Sequence, residues 1–364
     1  MIPVSVCMIA KNEEKYIGEC LHRLSSYDWE IVVVDTGSTD RTVEIARQFT
    51  SKVYDFPWIN DFSAARNYAV SMASNDYILM VDCDEYLEHN QETAQTIQYL
   101  VSQLHPLQVG MINLLNPSLP EKSEKSVPSS EKDLIHEQIA RFFHRQYVHY
   151  KGAIHEQLTA IQGEALEFIP LSLTFYHYGY STMDIKREKA ARNIALLEKE
   201  LASHGSDPYL YFQLGQSYFG LSEYTKALPY FEQALALDVN EQEAYVQTLV
   251  ESYGYCLLEQ KQYQQALSLE GIYSIFSKQA DFVFLMGLIY MNNGMFDQAI
   301  KEFLYATKIS AYSVDGVNSY KAYYNVGVIY ECTGNQEKAL KYYRLAGNYS
   351  PAIERIQVFT AQLP

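Results

Sequence analysis

Two apolar runs in this chain end in carboxylates. IVVVD closes on Asp35, and YILMVDCDEYL carries Asp82 and Asp84 on either side of Cys83. Side chains alternate in an extended strand, so Asp82 and Asp84 would point to one side about 7 Å apart, a spacing that suits two carboxylates sharing a divalent cation and its waters. A hard cation held in this way neutralises a diphosphate leaving group. Taken alone, D-x-D also describes a solvated strand end. Its company argues for more, because Asp35 ends a second apolar run and NDFSAARNYAV between them supplies Arg66. That guanidinium either meets phosphate oxygens bidentately or is a charge on a helix surface. Open α/β sheets bind ligands at the carboxyl ends of their strands, where all three acids would stand.

Positioning these groups requires a sheet, and the first 180 residues carry the pattern for one. Apolar runs alternate with amphipathic stretches: strand 3–9, helix 13–24, strand 30–35, helix 40–49, strand 77–81 and strand 108–115. The strands are apolar on both faces, as in a mainly parallel sheet covered on both sides. Ser38, Thr39 and Asp40 are N-cap candidates for the second helix. Residues 116–133, rich in Pro, Ser, Lys and Glu, read as a mobile loop, a candidate lid over a bound acceptor. Ser181-Thr182-Met183-Asp184 resembles a capping box that opens a helix stopped by Gly205-Ser206-Asp207-Pro208.

Beyond that stop the texture changes. Leu214-Gly215-x-x-Tyr218, Met286-Gly287-x-x-Tyr290 and Val326-Gly327-x-x-Tyr330 each precede an Ala-x-x-x-aromatic pair by twelve residues: Ala227/Phe231, Ala299/Phe303 and Ala339/Tyr343. This is the tetratricopeptide pattern, with small residues where helices cross. A weaker fourth copy has Gly254 and Ala266 but Glu270 in the aromatic slot. Many of the 32 tyrosines fall in these repeats, with rings filling core slots or lining an aromatic groove. The expected organisation is an α/β domain over 1–180, a linker helix over 181–207 and an all-α solenoid over 208–364.

Composition narrows the function classes. The 364 residues hold 28 Lys and Arg against 44 Asp and Glu, a net charge of −16 with no basic patch, which argues against nucleic acid and anionic lipid as partners. No apolar run approaches the roughly 18 residues of a membrane span. Cys7, Cys20, Cys83, Cys256 and Cys332 are scattered and lack C-x-x-C spacing, as expected of reduced thiols without structural zinc. The start, MIPVSVCMIAKNEE, lacks a basic n-region and a cleavable small-residue site, so the expected compartment is cytoplasmic.

The segments SVCMIAKNEEKYIGECL, IVVVDTGSTDRTVEIA, WINDFSAARNYA and ILMVDCDEYL together resemble the family 2 glycosyltransferases, inverting enzymes of the GT-A fold. The likeness continues through RFFHRQYVHYKGAIHEQL and TFYHYGYS into the repeats. It is similar to the bacterial branch with C-terminal tetratricopeptide repeats, which includes the sublancin-type S-glycosyltransferases that modify cysteine in glycocins. The N-terminal half also resembles the lipopolysaccharide-core glucosyltransferases.

The resemblance implies a Rossmann-like GT-A domain, a UDP-sugar donor and a divalent cation, Mn or Mg. On it, Asp35 contacts the uracil or ribose, and Ala10, Asn12 and Glu13 line the base pocket. Asp82 is the acid near ribose and metal, Asp84 is the principal metal ligand, and Arg66 and Asn67 face the diphosphate or its sugar. Cys83 stands where the family often has Ala and is close enough in size to be tolerated. An inverting transfer needs a base, and Glu156 in GAIHEQL is the candidate, although the segment also reads as a strand with Glu156 facing solvent. His155 beside it is a candidate metal ligand and His177 a rival; either also reads as a packed histidine. Trp58 and Asp61 border the sugar, or Trp58 is core. The acceptor is expected to be a peptide or protein side chain, Cys or Ser, docked by the repeats, which are also a surface for a homodimer. The alternatives are a cell-envelope glycan acceptor and a repeat scaffold without catalysis.

Overall fold

The computed structural model describes residues 3–88, 103–117, 134–154, 156–178 and 183–361, together with 95, 97 and 99. Its described residues form two compact units that meet in sequence between 196 and 197.

The first unit is built on a sheet of eight strands: β1 (Val4–Ala10), β2 (Glu30–Asp35), β3 (Val53–Asp55), β4 (Tyr77–Met80), β5 (Glu85–Leu87), β6 (Gln108–Pro117), β7 (Leu134–His144) and β10 (Glu167–His177). Their order is β3-β2-β1-β4-β7-β6-β10-β5. The half from β3 to β4 is parallel, and the other half is mixed: β7 is antiparallel to β4 and β6, β10 is parallel to β6, and β5 is antiparallel to β10. A separate antiparallel ribbon pairs β8 (Val148–Lys151) with β9 (Gln157–Ala160).

Alternation along the central strands explains why they are apolar throughout. Val4, Val6 and Met8 of β1 and Ile31 and Val33 of β2 pack with Ile17, Leu21 and Leu24 of α1 (Ile17–Leu24). Cys7, Val32 and Val34 face the opposite core, with Ala69 and Val70 of α3 (Phe62–Ser71). Both faces are therefore buried, and each strand has no polar side to show.

Two helices are shorter than their apolar periods suggest. α1 starts at Ile17 because the backbone N–H groups of Glu13 and Glu14 donate to side chains of the next loop, Thr42 Oγ1 at 2.7 Å and Asp40 Oδ2 at 3.2 Å. α2 (Thr42–Ala46) follows Asp40, whose Oδ1 accepts from the Thr42 N–H at 3.0 Å. β6 runs two residues past its expected end and takes in 116 and 117; residues 118–133 of the proposed loop lie outside the described residues, as do Ser181 and Thr182 of the capping box.

α4 (Met183–His204) leads into helices α5 (Pro208–Phe219), α6 (Tyr224–Leu235), α7 (Ala244–Glu259), α8 (Tyr263–Ala266), α9 (Tyr273–Phe276), α10 (Ala280–Asn292), α11 (Phe296–Ala306), α12 (Tyr320–Cys332), α13 (Gln336–Leu345) and α14 (Ser350–Ala361). Asp207 caps α5, accepting from the N–H groups of Tyr209 and Leu210 at 2.8 and 3.0 Å, with Pro208 in the first turn.

The repeat glycines lie under aromatic rings. A Cβ on Gly215 would sit 2.4 Å from Phe231, on Gly287 2.7 Å from Phe303, and on Gly327 2.6 Å from Tyr343. The weak copy solves the same problem differently. Its second helix is broken by a 3₁₀ segment, Leu267–Ile272, and a Cβ on Gly254 would sit 2.6 Å from Leu285 of α10 and 2.9 Å from Leu269, with residue 270 not among its nearest neighbours. A 3₁₀ turn stacks side chains every third residue instead of every fourth, so the residue three after Ala266 turns toward the slot and Glu270 is left outside it. Among the described residues no helix is long and apolar enough to cross a membrane.

Candidate active site

Three loops leave the carboxyl ends of β1, β2 and β4 and are tied together by hydrogen bonds. Ala10, buried at the end of β1, accepts at its carbonyl from the Thr36 N–H and hydroxyl at 2.9 and 3.1 Å. Asn12 adopts a left-handed φ of 57°, donates its N–H to Ser38 Oγ at 2.9 Å and accepts from the Thr39 N–H at 2.8 Å. Gly37, at φ 102°, turns the chain so that the N–H groups of Gly37 and Ser38 both donate to Asp35 Oδ2 at 3.0 Å. The other oxygen, Asp35 Oδ1, is buried without a hydrogen-bond partner. Glu13 stands where burial, followed by the charges of Asp84 and Asp82, pushes its carboxyl up to about 7, with Lys189 acting in the opposite direction.

The two acids of D-x-D do not lie on an extended strand. β4 stops at Met80, and the Glu85 N–H donates to the Asp82 carbonyl at 3.1 Å, so residues 82–85 form a turn. The alternation expected to put Asp82 and Asp84 side by side is lost there, and each acid faces its own set of cations. Cys83 between them is buried, its Sγ 3.5 Å from the Ile9 carbonyl.

Asp82 lies between two arginines. Arg66 Nη1 is 2.9 Å from Asp82 Oδ1, and Arg141 Nη2 is 2.7 Å from Asp82 Oδ2. Each arginine also holds a second acid: Arg66 Nε donates to Glu156 Oε1 at 2.5 Å, and Arg141 Nη2 to Glu85 Oε1 at 2.6 Å. Burial acts against the Asp82 carboxylate, but Arg141 and Arg66 outweigh it and hold its pKa well below the usual range. Glu85, 1% exposed, is pushed up by burial even though Arg141 works the other way.

Asp84 faces a different pair. Lys189 Nζ of α4 is 3.1 Å from Asp84 Oδ2, and His177 Nε2 at the end of β10 is 3.5 Å from the same oxygen. The other nitrogen of that ring, Nδ1, is 2.7 Å from Asn116 Oδ1. Burial acts against a charged ring, but the hydrogen bond to Asp84 and its charge raise the His177 pKa above the ordinary value, so Nε2–H donates toward Asp84 while Asn116 accepts from Nδ1–H. With the Nε2 proton gone, that nitrogen would be free to ligate a cation with Asn116 still orienting the ring. Burial opposes the charge on Asp84, yet His177 and Lys189 bring its pKa below the ordinary value.

Of the expected site residues, Ala10, Asn12, Glu13 and Asp35 line the joined β1 and β2 loops, and Arg66, Asp82 and Glu156 form one ion-pair cluster. Arg66 is 6% exposed, buried rather than a charge on the helix surface, and its guanidinium bridges Asp82 and Glu156. Asn67 is turned elsewhere. Its amide donates to the Tyr150 carbonyl at 2.8 Å and accepts from the Tyr150 N–H at 2.9 Å, fixing β8 to α3. Asp61 is the N-cap of α3, accepting from the Ala64 N–H at 2.8 Å, while Trp58 packs edge-on against Phe62. His155 lies outside the described residues. Sequence reasoning missed Glu85, Arg141 and Lys189. Glu85 directly follows the D-x-D and was open to inspection, whereas the other two join the site through contacts 59 and 105 residues apart in sequence.

Residues 5–101 match the family model "Glycosyl transferase family 2", and residues 208–240, 280–312 and 320–352 match tetratricopeptide-repeat models. The chain is similar to the TPR repeat-containing protein Synpcc7942_0270 of Synechococcus elongatus, 32% identical over 223 residues, covering 59% of this chain and 52% of that protein. It is similar to the uncharacterized glycosyltransferase RT0209 of Rickettsia typhi, 37% identical over 100 residues, with 28% and 33% covered. To the SPbeta prophage-derived glycosyltransferase SunS of Bacillus subtilis it is 26% identical over 262 residues, 68% of this chain and 57% of that one. It thus spans between a third and somewhat over half the length of these relatives. Among solved structures it aligns with the crystal structure of MamA at a TM-score of 0.38 and 21% identity, covering 50% of this chain and 97% of that one.

Proposed function

We propose that this chain, a family 2 glycosyltransferase domain followed by tetratricopeptide repeats, moves a hexose from a UDP-sugar to a peptide or protein side chain with a divalent cation at the D-x-D turn. The observation that carries the donor half is Asp35. A buried carboxylate oxygen with no partner is a costly arrangement unless a ligand supplies the missing donor, and a nucleoside offers N–H and hydroxyl groups at the strand ends where such sheets bind nucleotides. Asn12 and Glu13, on the loop clasped to the Asp35 turn, border the same place.

The donor set fits a cation such as Mn. Asp84 and His177 offer one carboxylate oxygen and one imidazole nitrogen 3.5 Å apart, with Asn116 orienting the ring. Among the described residues no group of three or more His, Cys, Asp or Glu side chains could hold a metal, so diphosphate oxygens and water would complete the shell. A bound cation would supply charge neutralisation of the departing diphosphate.

Glu156 is assigned the proton of the acceptor nucleophile. Arg66 fixes the carboxyl through Oε1, and the described residues make no hydrogen bond to Oε2. Arg141 and Arg66 hold Asp82, and with it the turn that carries Asp84. The repeats favour a peptide acceptor, since stacked helix pairs present an extended surface to an extended chain.

UDP release from UDP-glucose, UDP-N-acetylglucosamine and UDP-galactose with Mn tests this reading on wild type and Asp84→Asn. Metal-dependent release of UDP from one donor, lost in the variant, is expected. No UDP binding by calorimetry with or without Mn would refute it.

A further inference from the structure

We propose that Lys189 exchanges partners in the catalytic cycle: its ammonium holds Asp84 until a divalent cation takes that carboxylate, and then turns to the diphosphate of the donor. The inference rests on the reading of this site as a nucleotide-sugar pocket and assigns a positioning role to a helix that carries no recognised motif.

The cations around the D-x-D turn are of two kinds. Arg66 and Arg141 each bridge two carboxylates, and their side chains are 7% and 8% exposed. Both are planar groups fixed by several bonds, so neither can leave Asp82 without uncovering a second buried acid. Lys189 reaches the turn as a compact charge on a long stem: its side chain is 26% exposed, its Nζ lies 3.1 Å from Asp84 Oδ2, and the four-carbon chain lets the ammonium travel several ångströms while α4 stays in place.

The oxygen it touches is the one His177 also faces. Asp84 Oδ2 lies 3.1 Å from Lys189 Nζ and 3.5 Å from His177 Nε2, so the pair best suited to ligate a cation converges where the ammonium already sits. A divalent cation and an ammonium cannot share one carboxylate oxygen without strong repulsion in a site this buried. Metal entry must therefore expel Lys189. The expelled charge has a natural counterpart, because a nucleoside diphosphate brings at least two negative charges to the same metal. Metal alone would then bind weakly, against the lysine, whereas metal and diphosphate together would bind strongly, with the lysine. Each ligand would raise the affinity for the other by the same factor.

The test uses the full chain, with MnCl₂ and UDP as probes in calorimetry. Lys189→Met keeps the stem and removes the charge. It is expected to bind Mn alone about tenfold more tightly, since the competitor is gone, and to bind UDP at saturating Mn about tenfold more weakly, since a charge-assisted bond is lost. Lys189→Arg, which keeps a cation, should stay near wild type in both. Opposite signs in Lys189→Met are the signature that a merely structural lysine would not give. Equal signs, or no change in either affinity, overturn the exchange while leaving the donor reading in place provided wild type binds UDP. Failure of wild type itself to bind UDP with Mn would overturn both.

Discussion

Removing Arg141 tests the idea that the D-x-D turn is held by buried charge rather than by strand pairing. Its Nη2 joins Asp82 at 2.7 Å and Glu85 at 2.6 Å, and Arg141→Met keeps most of the side-chain volume while deleting both bonds. Asp82 keeps Arg66, so the loss falls on Glu85, whose side chain is 2% exposed. Breaking one partner of a buried pair costs about 3–5 kcal/mol, because the remaining charge stays desolvated. Glu85 has an escape, which is to take up a proton. Its carboxyl is already raised by burial and is eased by Arg141, so without the arginine it rises further. A carboxyl raised on folding contributes stability below its unfolded pKa and loses it as pH rises through the folded value, so the deficit of Arg141→Met should be small in acid and full at neutral pH. Both tryptophans, Trp29 and Trp58, belong to the first unit, so their fluorescence in urea reads that unit alone. Glu85→Gln in the Arg141→Met background should recover much of the loss, giving a coupling of about 2 kcal/mol or more. A neutral-pH loss below about 1 kcal/mol, or a double variant as unstable as the two single losses added together, would refute the reasoning.

Other consequences are open to measurement. Asp35→Asn should weaken UDP binding by about tenfold to a hundredfold in calorimetry, the worth of a hydrogen bond to a charged group, and unchanged affinity would remove Asp35 from the pocket. Glu251 of α7 is pushed up to about 8 from 4.5 by burial and then by Asp281. Stability of the repeats should therefore fall as pH rises from about 4.5 to 8. Glu251→Gln should flatten that fall by a few kcal/mol in melts followed by helical circular dichroism, and an unchanged pH profile would count against it. Gly327→Ala places a methyl 2.6 Å from the fully buried Tyr343 ring and should cost about 1–3 kcal/mol of overpacking, more than the helix gains from alanine. Gly271→Ala, with nothing within 4 Å of the new Cβ, should leave the same melts unchanged or improve them.

What could be read in the sequence is what repeats locally. Strands buried on both faces announce themselves because neither set of alternate residues is free to be polar, and β1 and β2 come out within a residue of their expected ends. The repeat glycines are equally legible, since each is matched by a ring at a fixed distance along the chain, so the pairing of Gly215 with Phe231 is a property of spacing. The failing repeat is only half legible: Glu270 in the aromatic slot marks the break, and a 3₁₀ turn brings Leu269 toward Gly254, but Leu285 of α10 comes nearer still. The site obeys a different logic. Asp82 and Asp84 were found by position, but their geometry was inferred from the strand before them, and a strand's alternation ends with its last ladder bond. Beyond Met80 the turn is shaped by partners that no local pattern names: Arg141 from β7, Glu156 after β8, His177 from β10 and Lys189 from α4. Each is an ordinary residue in its own segment: Arg141 and His177 become part of the site through the β4–β7–β6–β10 order, and Glu156 and Lys189 through the placing of the β8–β9 ribbon and of α4, all of which depend on long-range contacts. An acid at a strand end tells a reader that a cation is needed there. Whether that cation is an arginine fixed in the fold, as for Asp82, or a lysine on a flexible stem, as for Asp84, is decided by the neighbours the fold brings to it.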